Sequence, residues 1–148
     1  MTEEGEVTEP TGLEDKVAIV TGAGSRGDGI GNGRAAAILL ARRGARVVLA
    51  DEIVEWAEAT RAMIESEGGR CAVVRTDVAD PVSAAACVTR TTELFGPPDI
   101  LVNNVGLGGP TGTVVDVDPA EWSRCFEVNV TSMMLMAKHC VPAMRAAR

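Results

Sequence analysis

The sequence contains little of what several classes of protein require. Its 148 residues include no tyrosine and one histidine, and no run of 18 apolar residues is present to cross a membrane as a helix. Because no Cys-x-x-Cys pair occurs and the lone His139 cannot complete a zinc site, no metal centre is predicted. We interpret His139 as an exposed or core-edge helix residue rather than a base. The four cysteines are interpreted as buried or partly buried free thiols, which fits a reducing cytoplasm: Cys71, Cys87, Cys125 and Cys140.

Negative charge is concentrated at the N-terminus. Residues 1–15 hold six acidic residues and no Lys or Arg, which leaves only −1 of the total net charge of −7 for the rest of the chain. We predict that residues 1–15 form an acidic, disordered tail that is neither a signal peptide nor a transit peptide. The nearly neutral remainder gives no electrostatic reason to expect nucleic acid or an anionic membrane as a partner. A cytoplasmic location is therefore predicted.

From Lys16 onward, short apolar runs alternate with segments of helical spacing. Strands joined by helices of 12 or so residues imply right-handed crossovers and a parallel sheet. We therefore predict an α/β fold, with the first four strands and flanking helices of a Rossmann-type doubly wound sheet, incomplete, in one partial domain over residues 16–148. The predicted strands are 17–20, 46–50, 71–74 and 100–102, and the predicted helices are 32–43, 52–67, 81–95 and 119–141, with a late kink at Pro142.

A glycine-rich loop follows the first predicted strand and opens a helix. The segment from Thr21 to Gly33 contains Gly-x-Gly-x-x-Gly at Gly22, Gly24 and Gly27. Such a loop turns sharply and brings backbone N–H groups to a pyrophosphate at the helix N-terminus, where a side chain would stand in the way. A merely flexible strand-to-helix loop is the alternative interpretation.

An acid closes the second predicted strand. Asp51 lies 20 residues after Gly31, where a carboxylate accepts hydrogen bonds from the adenosine ribose and repels a 2′-phosphate. NAD is therefore favoured over NADP, and Glu52 adds to that repulsion. Arg26 in the glycine loop favours NADP instead, because a basic residue there could bind a 2′-phosphate. Asp51 could also cap the helix that follows it, or do both.

Polar residues also follow the third and fourth predicted strands. Asp77 could contact the adenine edge or cap a loop, and Asn103 and Asn104 could tie strands together, line a cofactor cleft, or both. Asn129 interrupts an apolar helical face, a position that is unfavourable by helix propensity. An exposed asparagine there needs no explanation, whereas a buried one needs hydrogen-bond partners. The Met-rich run 133–136 is interpreted as packing or a subunit interface.

The order of these motifs resembles the short-chain dehydrogenase/reductases. Thr-Gly-x-Gly with Gly-Ile-Gly, an acid after the second strand, Asp-Val, Asn-Asn-x-Gly and Val-Asn-Val follow one another over residues 16–148. The resemblance implies an NAD-dependent oxidoreductase that interconverts small alcohols and carbonyl compounds, working as a homo-oligomer built partly on the last helix. The site residues that it implies are the dinucleotide loop (Gly22, Gly24, Gly29, Ile30 and Gly31), the ribose ligand Asp51, the adenine side (Asp77 and Val78) and the nicotinamide side (Asn104 and Gly106).

The same resemblance assigns a catalytic role to Asn129, as the asparagine of the family's catalytic tetrad, which supports a water link to the catalytic lysine. The loop from Thr21 to Gly31 is three residues longer than the family's usual spacing, and Val105 replaces the usual alanine. The family's serine, tyrosine and lysine are expected after the helix that ends near residue 148, so the chain is expected to be an N-terminal segment truncated before them.

Two other functions stay open from the sequence. One is a non-catalytic dinucleotide-binding module or inactive truncated relic, because the family's tyrosine supplies the proton for carbonyl reduction and no tyrosine is present. The other is a methyltransferase-like α/β domain for adenosylmethionine, in which the Asn-Asn-x-Gly and Val-Asn-Val segments would have no role. We also predict that the 148-residue chain is marginally stable and prone to associate.

Overall fold

Four parallel strands form a single sheet in the computed structural model, which describes residues 12–147. Across the sheet the strands run in the order β3-β2-β1-β4, the order of the first half of a doubly wound fold. The predicted α/β architecture is confirmed. The strands are β1 (Val17–Thr21), β2 (Arg46–Asp51), β3 (Arg70–Arg75) and β4 (Ile100–Val102), and the helices are α1 (Asn32–Arg42), α2 (Val54–Ser66), α3 (Pro81–Phe95), α4 (Pro119–Phe126) and α5 (Ser132–Ala146), with a π-helical segment at Glu127–Thr131 between α4 and α5.

The sheet is covered by helices on both faces. Successive side chains of a strand point to opposite faces, so neighbouring residues of β1 enter different halves of the core. Ile19 packs with α3 and α5 residues such as Met136, whereas Val20 packs with α1 and α2 residues such as Ile38 and Ile64. Burial on both faces explains why β1 and β2 read as continuous apolar runs rather than as alternating patterns.

Two helices begin where capping residues precede a proline. The Asp80 carboxylate accepts hydrogen bonds from the backbone N–H groups of Val82 and Ser83 at the start of α3. The Asp118 carboxylate does the same at the start of α4. Both helices begin at the predicted residues, and Asp-Pro pairs favour such starts, since proline at the first helical position has no N–H to leave unpaired. Pro142 lies inside α5, which continues to Ala146.

The fold begins before the boundary predicted at residue 15. The Asp15 backbone N–H donates to the Gly44 carbonyl at 3.0 Å, and the Asp15 carboxylate pairs with Arg70. Asp15 is therefore tied to the turn after α1 and to β3, because its charge has a partner there that the sequence pattern does not reveal. The remainder of the predicted tail, residues 1–11, lies outside the described residues.

The four cysteines are free thiols, as predicted. Cys87 and Cys140 are buried, and Cys71 and Cys125 are half-buried. Burial raises the pKa of Cys71 to about 11 and that of Cys140 to about 12. His139 is half-buried on α5, consistent with a core-edge helix residue. Within residues 12–147, no helix is long and apolar enough to span a bilayer.

Candidate functional site

A cleft of about 370 Å³ opens where the parallel strands end. Ligands in open α/β sheets bind at this edge, because the loops that leave the strands diverge there to opposite faces of the sheet. Seven of the ten residues predicted to contact a cofactor line the cleft: Gly22, Gly24, Asp51, Asp77, Val78, Asn104 and Gly106.

The glycine loop and β2 are joined at the floor of the cleft. The backbone N–H of Gly24 donates to Asp51 Oδ2 at 2.8 Å. A Cβ atom on Gly24 would lie 2.5 Å from Cβ of Trp56, at the start of α2. Only glycine fits between the loop after β1 and the start of α2 here.

Asp51 is 8% exposed and uses both of its carboxylate oxygens. Oδ2 accepts from Gly24, and Oδ1 accepts from the backbone N–H of Ile53 at 2.9 Å. Each oxygen has a second lone pair, so the carboxylate can still accept hydrogen bonds from ligand hydroxyl groups. Asp51 is not the N-cap of α2, which is Ile53 without a side-chain cap. The capping alternative is therefore wrong in detail, since Asp51 stabilises the turn before the helix.

Asp77 and Val78 form the wall of the cleft that follows β3. Asp77 Oδ1 accepts from the backbone N–H of Ala79 at 2.9 Å, and the Asp77 backbone N–H donates to Ser83 Oγ at 3.0 Å. Val78 is buried in the core cluster beneath them. Asp77 thus closes a local turn, as one interpretation expected, and also lines the cleft, as the other did.

Asn104 ties the ends of two strands together while lining the cleft. Its Nδ2 donates to the carbonyl oxygens of Thr21 and Gly22, both at 3.1 Å. The Thr21 hydroxyl in turn donates to the Val102 carbonyl and accepts from the Asn104 backbone N–H. Asn104 therefore does both things that the sequence left open for the asparagine pair: it ties two strands together and it lines the cleft.

Asn129 lies in the π-helical segment, half-buried, and its side chain pairs with the loop that follows β4. Oδ1 accepts from the Leu107 backbone N–H at 2.7 Å, and Nδ2 donates to the Leu107 carbonyl at 2.9 Å and to Cys125 Sγ at 3.1 Å. A π-helical turn is rare and is frequently found at functional sites. Asn129 has the partners that a partly buried amide needs, and its catalytic role stays a prediction.

Three predicted cofactor residues do not line the cleft: Gly29, Ile30 and Gly31. Ile30 is 63% exposed, and a Cβ atom on Gly29 would meet nothing within 4 Å. The Gly-Ile-Gly segment therefore lies in the part of the longer loop that is outside the cleft lining. Their part in cofactor binding remains a prediction, which this arrangement does not support for Ile30.

Gly33, rather than a residue of the Gly-Ile-Gly segment, is the point where α1 comes closest to the end of β1. A Cβ atom there would lie 2.0 Å from the Gly22 carbonyl oxygen and 2.4 Å from Asn104 Nδ2. Close packing of helix against strand is the usual task of the last glycine in a dinucleotide-binding loop. The sequence contained a signal, since Gly31-Asn32-Gly33 repeats the Gly-x-Gly spacing two residues later, directly at the start of α1.

A basic and an aromatic residue border the side of the cleft formed by the glycine loop and α2. The Arg26 guanidinium lies over the Trp56 ring, 5.9 Å from its centroid, and both residues line the cleft with Asp51 and Glu52. Such stacking contributes about 0.5–1 kcal/mol at an exposed site. Trp56 falls within the predicted helix 52–67, but its place in the cleft was not predicted. Among residues 12–147, no group of three His, Cys, Asp or Glu side chains is placed to hold a metal ion.

The sequence is similar to proteins of one known family. The family model described as "short chain dehydrogenase" matches residues 16–148. The chain is 41% identical over 133 residues to the cis-4-hydroxycyclohexanecarboxylate dehydrogenase of Sinomonas cyclohexanicum, covering 90% of this chain and 51% of that protein. It is 32% identical to the cyclohexanol dehydrogenase of Acinetobacter sp. (strain SE19), covering 91% of this chain and 52% of that protein.

A solved structure shows the same arrangement. A metagenomic short-chain oxidoreductase in complex with NADP superposes with a TM-score of 0.83 at 36% identity, covering 91% of this chain and 59% of that one. The chain therefore spans about half the length of the curated relatives that it matches, and slightly more of this solved structure.

Proposed function

The chain belongs to the short-chain dehydrogenase family, and from that premise we propose that it contributes the cofactor-binding part of an NAD-dependent oxidoreductase. The whole protein would transfer hydride between NAD and a small alcohol or carbonyl compound. The observation that carries this proposal is the cleft in which Asp51 accepts from the Gly24 backbone while Asp77 and Asn104 face the same space.

The residues present fit a dinucleotide. Gly24 and Gly33 are positions where any Cβ would collide with neighbouring atoms, so the loop packs closely against α2 and the end of β1. The backbone N–H groups of residues 25–33 have no acceptor among the described residues and can donate to phosphates. Asp51 retains acceptor capacity for ribose hydroxyls. Bound there, a nicotinamide supplies or accepts the hydride. The groups of this chain hold the adenosine, diphosphate and nicotinamide portions in place.

NAD rather than NADP is the cofactor that the charges favour. A 2′-phosphate on the adenosine ribose would approach the buried Asp51 carboxylate and the neighbouring Glu52. Burial strengthens that repulsion, because it lowers the effective dielectric constant. Arg26, the one nearby cation in the glycine loop, stacks on Trp56. The NADP in the related solved structure belongs to that protein.

Titration with NADH and NADPH, followed by nicotinamide fluorescence, tests the proposal. We expect NADH to bind at least about tenfold more tightly than NADPH, a difference of about 1.4 kcal/mol. Asp51→Ala should reduce the ratio of the two dissociation constants to about threefold or less. Glu55→Ala, at an exposed glutamate of α2 that does not line the cleft, is the matched control and should leave the ratio unchanged. Tighter binding of NADPH would refute the choice of NAD, and binding of neither would refute the cofactor site.

Catalysis needs more than this cleft. Reduction of a carbonyl requires a proton donor at the oxygen, and the sequence contains no tyrosine to fill the family's role. We therefore assign no proton donor among these residues and propose Asn129 only as a positioning residue. The second candidate is a dinucleotide-binding module without catalysis, because the residues that line the cleft are ones that would hold a cofactor.

The names of two relatives suggest the first substrate class to examine. Both are named for oxidation of a hydroxyl group on a cyclohexane ring, so we propose a cyclic secondary alcohol. Formation of NADH from cyclohexanol or 4-hydroxycyclohexanecarboxylate separates the two candidate functions. Stereospecific hydride transfer by the 148-residue chain itself would refute the module, whereas tight NADH binding without any transfer would support it.

A further inference from the structure

Arg34 is a buried cation beneath the extended glycine loop. It is the third residue of α1, and it is 1% exposed. Its Nε donates to Thr60 Oγ1 at 3.0 Å, and Nη2 donates to the carbonyl oxygens of Ser25 at 3.3 Å and Trp56 at 3.4 Å. Nη1 donates to the carbonyl oxygens of Gly29 at 2.6 Å and Gly27 at 3.4 Å. The five N–H groups of the guanidinium thus meet five neutral oxygens.

Three of these oxygens belong to alternate residues of the longer loop, at positions 25, 27 and 29. In a planar trans peptide, the N–H of the next residue points opposite to the carbonyl. The N–H groups of residues 26, 28 and 30 are therefore directed away from the guanidinium, to the outside of the loop. Within the described part of the chain, no backbone N–H from residue 25 to residue 33 donates to a protein acceptor.

No carboxylate of the described residues forms an ion pair with Arg34. Burying an arginine without an anionic partner is expensive, and buried charges are usually paired. Here the neutral oxygens satisfy the hydrogen bonds, but the positive charge itself stays uncompensated. That charge lies directly under the loop whose outward N–H groups are free, so both features favour an anion above the loop.

We propose that Arg34 is a positioning residue for the diphosphate of the bound dinucleotide. Its guanidinium holds three carbonyl oxygens of the longer glycine loop and two oxygens of α2. This leaves outward N–H groups, among them that of the cleft-lining Arg26, and an unpaired positive charge for the phosphates. This inference rests on the proposed dinucleotide-binding function. It goes beyond that function by naming the residue, absent from the predicted site, that makes the longer loop competent to hold phosphate.

Paired titrations with ADP and adenosine on the full 148-residue chain test the proposal, because the two ligands differ only in the diphosphate. Arg34→Met should weaken ADP binding at least about tenfold and change adenosine binding less than about twofold. Arg42→Met is the matched control on the same helix, since Arg42 is exposed and pairs with Glu67, and it should change neither. Equal loss of both ligands, or no loss of ADP, would overturn the proposal.

Arg34→Lys is a second variant that tests the same proposal if Arg34→Met does not fold. A lysine ammonium retains the charge but cannot reach five oxygens with a planar fork, so ADP binding should still fall several-fold while adenosine binding is kept. Hydrogen exchange gives a second readout, since ADP should protect the amides of residues 25–31 in the wild type and not in either variant. Protection confined to residues 22–24 would overturn the proposal. A wild type that binds neither ADP nor NADH would instead refute the proposed function on which it rests.

Discussion

At the scale of single residues, the candidate site consists mainly of backbone atoms that small residues leave accessible. Gly24 and Gly33 stand where Cβ atoms would collide with Trp56 and with the Gly22 carbonyl, respectively. The side chains that contribute, Asp51 and Asn104, also hold the backbone of the loop in position. Binding and folding therefore depend on the same few atoms, and substitutions at these positions affect both.

The close approach at Gly33 gives a quantitative prediction. Gly33→Ala forces a Cβ atom against the Gly22 carbonyl oxygen and Asn104 Nδ2, so backbone must move. We expect the free energy of unfolding to fall by about 1–3 kcal/mol, the usual cost of overpacking, and NADH binding to weaken. Urea denaturation followed by circular dichroism measures the change.

Gly29→Ala is the matched control for that substitution. A Cβ atom on Gly29 meets nothing within 4 Å and the residue does not have a positive φ, so its stability should change by no more than about 1 kcal/mol. Equal destabilisation by both substitutions would contradict the assignment of Gly33 as the point of contact between α1 and β1.

At the scale of elements, the long helical segment from α4 to α5 is interrupted where it meets the loop after β4. Asn129, in the π-helical turn, pairs with both backbone groups of Leu107, 22 residues away along the chain. The Asn129 side chain pairs with both the N–H and the carbonyl of Leu107, as a residue of a neighbouring strand would. These two hydrogen bonds hold the loop after β4 against the helix. The widened turn therefore has a structural role that is visible without any ligand.

Asn129→Ala tests this link between elements. The substitution leaves the Leu107 N–H and carbonyl without their partner, so we expect a loss of about 1–3 kcal/mol in the free energy of unfolding. Exchange of the Leu107 amide with solvent deuterium should become at least tenfold faster. Thr131→Ala, an exposed position in the same π-helical turn, should alter neither. Unchanged exchange at Leu107 in Asn129→Ala would show that the pairing does not hold the loop.

At the scale of the whole molecule, one face of the α4–α5 segment remains exposed and apolar. Trp122 and Phe126 stack with ring centroids 5.2 Å apart, and Val130, Met133 and Met134 extend the exposed surface along the helix. Within the described residues, β4 pairs only with β1. An apolar patch and an unpaired strand edge both favour association.

We therefore predict that the 148-residue chain self-associates at micromolar concentrations. Sedimentation velocity should show species larger than 15.4 kDa, and Met134→Lys should shift the distribution toward monomer. Ser123→Lys, exposed on α4, adds the same charge elsewhere and should shift it much less. A monomer at all concentrations, together with a urea transition of normal slope, would contradict both the association and the marginal stability predicted from the sequence.

The sequence by itself determined the order of strands and helices and the place of most site residues. Buried strands are recognised as apolar runs, and Asp-Pro pairs indicate helix starts. Polar residues that follow parallel strands lie together at one edge of the sheet. Asp51, Asp77 and Asn104 were found in this way, because each follows directly from a strand end. These signals are local, so a single chain without relatives is enough to read them.

Only the tertiary structure decided which glycines touch the sheet and which charges are paired. Gly33, rather than the Gly-Ile-Gly segment, makes the close contact with the end of β1. The loop is longer than usual, and the sequence alone does not show how far this moves the contact along the chain. Arg34, Asp15 and Asn129 acquire their roles from partners many residues away. Those contacts depend on how α1 and α2 pack together and on how the turns fold back. No local pattern encodes that geometry.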